Sequence, residues 1–318
     1  MNAATYAGIA LALLATTAYN VGLILEKRAL GQMPTLDIRR VARVIVSLAT
    51  SRAWLAGFAL MLTGLACQTI VLTFEPVSVV QPVLASGVVL VLVLSRLVLR
   101  ERLRGGETWC VAAMAASLVL LALSATSTGV GRHASPGEMT AVMIPSVIVG
   151  VLAAAGPLRA RARSGGTSMI GIWSGVGTGL LYGVAALAIK ALSGILVRHE
   201  SAAGIAAGLV SSPYLYALAG CLAVAMLLYQ AALQACRASI LIPVSAVTGS
   251  VYFIIAGTWL FHEHLPSSPG KFALRLAGIA LAALVVVMLT RQAPEQQAPV
   301  AAAGGAGIAD DDLAEMRR

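Results

Sequence analysis

Charged residues are scarce in this sequence: Lys, Arg, Asp and Glu make up 11% of its 318 positions, whereas soluble proteins carry about 25%. So few charges cannot cover the surface of a soluble domain of this length, which excludes a soluble enzyme. Aromatic residues are also few, at 5%, whereas membrane β-barrels carry aromatic girdles at both interfaces. With 59% hydrophobic residues, the composition predicts an all-α protein, a polytopic helical bundle in a membrane.

Residues that could support catalysis are equally few. The four cysteines lie in or beside apolar runs, which predicts buried, inert thiols rather than a disulfide framework. No Gly-x-x-x-x-Gly-Lys-Ser/Thr loop occurs, and no Ser or Cys nucleophile has a suitable base nearby. We therefore predict a protein that is not an enzyme, needs no cofactor and binds no nucleic acid.

Nine stretches are apolar and about 20 residues long, which is enough for a helix to cross about 30 Å of hydrocarbon. The first stretch lacks a basic start and is too long for a cleaved signal peptide. We therefore predict nine transmembrane helices. Their ranges are 4–26, 53–74, 77–99, 107–125, 139–157, 168–194, 213–233, 238–261 and 273–290.

The basic residues between these helices are sorted by side. With nine crossings, one set of connections carries 17 Lys and Arg residues and the alternate set carries four. Cytoplasmic connections of membrane proteins are enriched in Lys and Arg. We therefore predict a multi-pass protein of the cell (inner) membrane, with its N-terminus outside and its C-terminus in the cytoplasm.

Two segments are not predicted to cross the membrane. Residues 37–50 mix arginines with Ile and Val, a pattern that suits either a short helix on the cytoplasmic surface or a solvated linker. From residue 291 onward the chain is rich in Ala, Gly, Pro and Gln and then turns acidic. Such a composition cannot bury a core, so we predict a disordered cytoplasmic tail over 291–318.

The two halves of the sequence resemble each other. Around the first and sixth predicted helices, a shift of 163 pairs Lys27 with Lys190. Around the third and eighth, a shift of 161 aligns Ser-Val-Val-Gln-Pro-Val at 78–83 with Ser-Ile-Leu-Ile-Pro-Val at 239–244. Because five crossings separate equivalent helices, they run in opposite directions and the halves are inverted repeats. This architecture is typical of secondary transporters, and some ion channels also use it.

The repeat divides the chain into four predicted segments. Residues 1–125 form the first transmembrane repeat with helices one to four, and residues 126–167 form a linking fifth helix and a loop. Residues 168–290 form the second repeat with helices six to nine, and the tail follows over 291–318.

Glycines recur every four residues along the sixth predicted helix, at Gly171, Gly175, Gly179 and Gly183. This spacing places them on one helix face, where bare backbone allows a second helix to approach closely. We predict tight helix packing there, or two helix surfaces that slide past each other during a conformational change.

Several short segments resemble a known superfamily. The Ser-x-x-x-Pro-Val segments at 78–83 and 239–244 are each followed about 20 residues later by an acidic motif, Leu-Arg-Glu-Arg-Leu at 99–103 and Leu-Phe-His-Glu-His-Leu at 260–265. This combination resembles the drug/metabolite transporter (DMT, EamA-like) superfamily. The resemblance implies a helical membrane transporter.

Within that superfamily the chain is most similar to the NIPA-type group, whose eukaryotic members are described as magnesium transporters. The similarity is carried by Leu-Glu-Lys-Arg-Ala-Leu-Gly at 25–31 and by Phe-Glu-Pro-Val-Ser-Val-Val-Gln-Pro-Val at 74–83. It extends over about residues 5–290 and implies nine helices, with Mg²⁺ as a substrate.

Polar side chains inside a bundle cost free energy unless they are paired or hydrated, so they are functional candidates by default. Pro82 and Pro243 free backbone carbonyls near the starts of equivalent helices. We therefore predict a substrate site between helices one, three, six and eight, with ordinary kinked packing as the alternative. The predicted substrate pathway consists of Asn20, Gln68, Gln81, Pro82, Tyr182, Lys190, Gln230 and Pro243.

Charged residues at helix ends are candidates for gating or for contact with an entering cation, and otherwise for anchors at the membrane surface. Glu75 precedes a proline in a tight external turn, and Lys27 and Lys190 lie at opposite membrane boundaries, where they either snorkel or gate the two mouths. Glu26 is predicted at the end of the first helix. The residues assigned to gating or to the point where a cation enters are Lys27, Glu75, Glu101 and Glu263.

These features predict a secondary transporter that works by alternating access and moves either a divalent cation, with Mg²⁺ implied by the resemblance, or a small metabolite. No carboxylate is central in a predicted span, which argues against tight ion coordination, and no set of metal ligands is assigned. A different class stays open, a non-transporting membrane scaffold or lipid-handling subunit with the same fold. The expected partners are the lipid bilayer and the solute or Mg²⁺, with a homodimer left open.

Overall fold

The computed structural model describes residues 3–74, 86–101, 105–124, 135–160, 167–198, 201–261 and 268–295. Within these ranges the chain forms eleven α-helices and no strand, which confirms the all-helical prediction. The helices are α1 Ala3–Leu30, α2 Val41–Thr50, α3 Arg52–Phe74, α4 Gly87–Leu97, α5 Gly105–Leu123, α6 Pro136–Ala160, α7 Thr167–Arg198, α8 Ala202–Ser211, α9 Pro213–Ala235, α10 Ala238–Leu260 and α11 Pro269–Glu295.

Six of these helices, α5, α6, α7, α9, α10 and α11, are long and apolar enough to cross a membrane, and counting α2 with α3 as one bent span gives a seventh. All nine predicted apolar segments overlap a helix, although residues 75–85 in and before the third segment lie outside the described residues. The chain is therefore a multi-pass membrane protein. The count of nine crossings stays a prediction.

The predicted surface segment contains the helix α2, which meets the start of α3 at 86°. Val44 and Leu48, one turn apart, are buried, whereas Ile45 and Val46 are 58% and 59% exposed. This one-sided burial confirms a helix rather than a linker in the predicted range. The buried side packs on the core near the end of α1.

Two helices run past their predicted ends. α1 continues to Leu30 rather than stopping at 26, and α11 continues to Glu295, into the segment assigned to the tail. Hydropathy ends a segment at the first charged residues, yet Lys, Arg, Gln and Glu are good helix formers. The rest of the predicted tail, 296–318, lies outside the described residues.

The glycine stripe of α7 packs against α10. A Cβ atom at Gly175 would lie 2.8 Å from Cγ1 of Val244, and one at Gly179 would lie 2.6 Å from the backbone oxygen of Ser245. Side chains larger than hydrogen cannot fit at these distances. The structure thus confirms tight helix packing on this face.

Glycines also bring α3 onto α1. A Cβ atom at Gly57 of α3 would lie 2.8 Å from the backbone nitrogen of Glu26, and one at Gly64 would lie 2.4 Å from that of Tyr19. The two backbones therefore touch along about two helical turns. This close contact covers the face of α1 that carries Glu26.

The two helices that the internal repeat pairs, α1 and α7, run in opposite directions. Near the end of α1, Lys27 Nζ donates a hydrogen bond to the backbone oxygen of Cys236 at 2.6 Å. The next residue, Arg237, donates to Oγ of Ser168 at 2.7 Å, at the start of α7. α1 therefore ends at the side of the bundle where α7 begins. Each packs on the next long helix of its half, α1 on α3 and α7 on α9.

Candidate functional site

A carboxylate lies inside the bundle. Glu26, in the last turns of α1, is 0% exposed. Its Oε2 accepts a hydrogen bond from Nε2 of Gln230 in α9, and Oε1 of Gln230 accepts one from Nε1 of Trp54 in α3 at 3.3 Å. We call Glu26, Trp54 and Gln230 the acid cluster. It joins α1 and α3 from the first half of the chain to α9 from the second.

The other oxygen of Glu26 is unpaired. Oε1 is buried and has no hydrogen-bond partner among the described residues. A buried polar atom without a partner costs about 1–3 kcal/mol, and such atoms are rare in native proteins. The bundle therefore holds an oxygen that is accessible neither to water nor to a protein donor.

Aromatic rings surround the acid cluster. The ring of Trp54 stacks on that of Phe58, with centroids 4.9 Å apart and planes at 13°. Tyr182 and Tyr229 meet edge to face at 5.9 Å. Both tyrosines are close enough to interact electrostatically with Glu26. The rings restrict the positions that the polar side chains can take.

The end of α1 is tied to the end of α9. Lys27 Nζ donates to the backbone oxygens of Leu233 and Cys236, which lie in the last turn of α9 and directly after it. Carbonyls there lack partners within their helix, and a lysine can supply them. Nε2 of Gln234 donates to the backbone oxygens of Leu30 and Pro34 at 2.9 and 3.0 Å. These contacts fix α1 against α9 next to Glu26.

Glu101 lies at the start of α10. Its carboxylate accepts hydrogen bonds from the backbone nitrogens of Ala238 and Ser239 at 2.9 and 3.1 Å and from Oγ of Ser239 at 2.6 Å. Arg100 before it has a left-handed φ of 56°, which few residues other than glycine adopt. A carboxylate at this position satisfies the free amides of a helix N-terminus.

An ion pair lies beside this cap. Glu107, 1% exposed, accepts hydrogen bonds from both terminal nitrogens of Arg237. Arg237 also contacts Ser168 of α7. Through Glu101 and Glu107, the helix ends of the first half are attached to the start of α10.

The predicted pathway residues are only partly brought together. Gln230 is in the acid cluster and Tyr182 is beside it. Asn20 is buried on α1, six residues before Glu26, and its Nδ2 donates to the backbone oxygen of Thr16 at 2.7 Å. A Cβ atom at Gly87 of α4 would lie 2.4 Å from the same Nδ2, so Asn20 faces α4.

The remaining predicted residues are distributed elsewhere. Lys190 Nζ lies 4.8 Å from the ring centre of Phe261 and 5.9 Å from that of Phe253. Gln68 is half-buried on α3, and Pro243 is buried inside α10. The predicted residues that lie outside the described ranges are Glu75, Gln81, Pro82 and Glu263.

No group of three His, Cys, Asp or Glu side chains in the described ranges could hold a metal ion. The cysteines are free thiols, as predicted, with Cys110, Cys221 and Cys236 buried and Cys67 half-buried. A cation bound at the acid cluster would therefore meet a single carboxylate from the described part of the chain.

The profile of the family described as "Magnesium transporter NIPA" matches residues 3–295. The chain belongs to the NIPA magnesium transporter family. A curated relative, the "Probable magnesium transporter NIPA9" of Arabidopsis thaliana, is 25% identical over 294 residues, which cover 88% of this chain and 81% of the relative. No solved structure matches the chain. The NIPA resemblance found in the sequence is thus confirmed.

In this NIPA-family chain, sequence reasoning left Glu26 out of the predicted site because hydropathy placed it at a helix end. A local signal was available. Gly31 is typical of the position just after a helix, which would extend α1 to Leu30 and place Glu26 more than a turn inside. Nothing in the sequence marks Trp54, since its role depends on the contact of α3 with α9.

Proposed function

We propose that this NIPA-family chain carries a divalent cation, Mg²⁺, across the cell membrane by alternating access. The observation that carries the proposal is the contact between Gln230 and Glu26, which places an acid where the two halves of the bundle meet. Magnesium is a hard cation that keeps several waters and is usually held by one or two carboxylates. An acid inside the bundle therefore suits this substrate.

The acid favours a cation over the other substrate class. A pocket of amides and aromatic rings alone would favour a small uncharged metabolite, and an apolar interior would favour a scaffold. The cluster does contain the amide of Gln230 and several rings, so a metabolite is the second candidate. Burial of Glu26 at 0% exposure has no use in binding an uncharged solute, and the family description also supports Mg²⁺.

Alternating access is supported by the directions of the helices. α1 and α7, which the sequence repeat pairs, are antiparallel, as inverted repeats require. Two halves related in this way can exchange conformations and open a central site to either side in turn. We keep residues 1–125 and 168–290 as the two repeats.

The proposed orientation has the N-terminus outside and the C-terminus in the cytoplasm. It is supported by the basic residues, 17 of which fall in one set of connections and four in the other. Lys27 and Arg237 of the larger set lie at the same side of the bundle, where α1 and α9 end and α7 and α10 begin. Such clustering is expected at a cytoplasmic surface.

The test is uptake by vesicles reconstituted with the purified protein, with a Mg²⁺-sensitive dye inside and a panel of metabolites as competing substrates. We expect Mg²⁺ uptake by the wild type and a loss of about tenfold in Gln230→Leu, because the substitution removes the donor to Glu26. Gln32→Leu, the same substitution at an exposed residue outside the helices, should keep wild-type uptake.

The other outcomes contradict the proposal. Uptake of a metabolite without Mg²⁺ would establish the second candidate, and absence of both fluxes from vesicles that contain folded protein would establish the scaffold.

A further inference from the structure

We propose that Oε1 of Glu26 is the oxygen that coordinates the transported cation, an inference that rests on the proposed function and names its binding group. The first argument is its burial. Glu26 is 0% exposed, and Oε1 has no protein partner among the described residues. A carboxylate oxygen that neither water nor protein donors satisfy is available to a cation.

The second argument is the way in which the carboxylate is held. Oε2 accepts a hydrogen bond from Gln230, and Gln230 in turn accepts one from Trp54 at 3.3 Å. The Trp54 ring is fixed by stacking on Phe58. One oxygen of Glu26 is thus anchored and the other is left open. Metal ligands are commonly oriented by such a second layer of hydrogen bonds.

The third argument concerns the class of cation. A dehydrated Ca²⁺ ion takes six to eight oxygen ligands, whereas Mg²⁺ keeps several waters and needs only one or two carboxylates. No second acid joins Glu26 within the described residues. A single carboxylate therefore suits a partly hydrated Mg²⁺ ion. Binding through one protein charge is also weak enough for release on the other side.

The backbone explains why this residue is buried on the α3 side. A Cβ atom at Gly57 would lie 2.8 Å from the backbone nitrogen of Glu26, so α3 lies directly against this turn of α1. Gln230 reaches the carboxylate from α9. The site is therefore built by two helices of the first half and one of the second, and a relative movement of the halves would change it.

The experiment measures binding without transport. Purified protein in detergent is stripped of divalent cations, and its melting temperature is then followed as Mg²⁺ is added. A ligand that binds only the folded state raises the melting temperature with concentration. The variants are Glu26→Gln, which keeps the shape of the side chain, and Glu26→Asp, which keeps the charge but shortens it. The control is Glu138→Gln.

Glu138 is a matched control because it is exposed and its role survives the substitution. Its Oε2 accepts from the backbone nitrogen of Ser135 at 3.2 Å, and its own backbone nitrogen donates to Oγ of Ser135. Glutamine also forms this capping box. The variant removes one carboxylate from the protein without touching the bundle.

We expect Mg²⁺ to stabilise the wild type and Glu138→Gln equally. Glu26→Gln should lose the stabilisation, and Glu26→Asp should need about tenfold more Mg²⁺ for half of it. An unchanged Mg²⁺ dependence in Glu26→Gln would overturn the inference. If Glu26→Gln does not fold, Glu26→Asp decides, and a wild-type response in that variant would likewise overturn it.

The same variants separate this inference from the proposed function. Mg²⁺ uptake into vesicles that persists in Glu26→Gln would overturn the site and leave Mg²⁺ transport standing. Stabilisation of the wild type that depends on Glu26, without any Mg²⁺ uptake, would confirm the site and contradict transport.

Discussion

The end of α1 and the matching stretch of α7 share a sequence pattern but differ in environment. The shift of 163 that pairs Lys27 with Lys190 also pairs Glu26 with Ile189. Glu26 is 0% exposed, whereas Ile189 is 54% exposed. The equivalent positions thus hold a buried acid in one half and an exposed apolar residue in the other. The duplicated frame carries this acid in one copy.

Helix packing accounts for the difference. Gly57 of α3 meets the backbone of α1 at Glu26, whereas Gly220, which follows Gly57 by the same shift, has nothing within 4 Å of an added Cβ atom. The two lysines differ as well. Lys27 donates to backbone oxygens at the end of α9, and Lys190 lies over aromatic rings. Similar sequences therefore serve different purposes once their neighbours differ.

The largest expected effect comes from removing the acid. Glu26→Gln should lower the rate of Mg²⁺ uptake by reconstituted vesicles about a hundredfold, because a charged ligand is replaced by a neutral one. Ile189→Ala at the matching position should change the rate by less than about twofold, since the side chain is exposed. Equal losses in both variants would show that the two positions act alike and would break the comparison.

The next effect tests the packing that buries the acid. Gly57→Ala should destabilise the protein by about 1–3 kcal/mol, because the methyl group would overlap the backbone of α1. Gly220→Ala should be neutral or slightly stabilising, since alanine is the better helix former and space is open there. Thermal unfolding in detergent measures both. A stable Gly57→Ala variant would contradict the close contact of α1 with α3.

A smaller difference is expected between the lysines. Lys27→Met should cost about 2 kcal/mol of stability, because two backbone oxygens at the end of α9 lose their donor. Lys190→Met should cost about 1 kcal/mol, the usual size of a cation–π contact. Chemical unfolding of the two variants compares them directly. If Lys190→Met proved the more damaging, the ring contact would outweigh the tie between α1 and α9.

The smallest effect concerns the residue that holds Gln230. Trp54→Phe should raise the Mg²⁺ concentration for half-maximal stabilisation about threefold, because Gln230 loses one hydrogen bond worth about 0.5–1 kcal/mol. The matched variant Trp259→Phe changes a side chain that is 62% exposed and should have no effect. A Trp54→Phe response equal to that of the wild type would remove Trp54 from the acid cluster.

Much of the architecture could be predicted from the residues themselves. The ranges 213–233 and 238–261 correspond closely to α9 and α10, because apolar runs of spanning length admit few other structures in a membrane. The glycine stripe at Gly175 and Gly179 correctly indicated close packing. Gln230 was recognised as a candidate because an amide in an apolar run is costly.

Other features could not be predicted in this way. Glu101 was assigned to gating, a role that stays a prediction, and its contacts with Ala238 and Ser239 join residues far apart in the chain. The pairing of Glu107 with Arg237 is equally distant. Contacts of this kind depend on which helix ends meet at the bundle surface, and sequence spacing carries no information on that.

The sequence by itself determined that the chain is a helical membrane protein with two related halves, since the free energy of placing a residue in lipid depends mainly on its type. Only the tertiary structure decided that Glu26 faces inward. Its burial depends on the approach of Gly57 from a second helix and on Gln230, 204 residues further along the chain. A helix can turn any of its faces to the core, and its neighbours select which one.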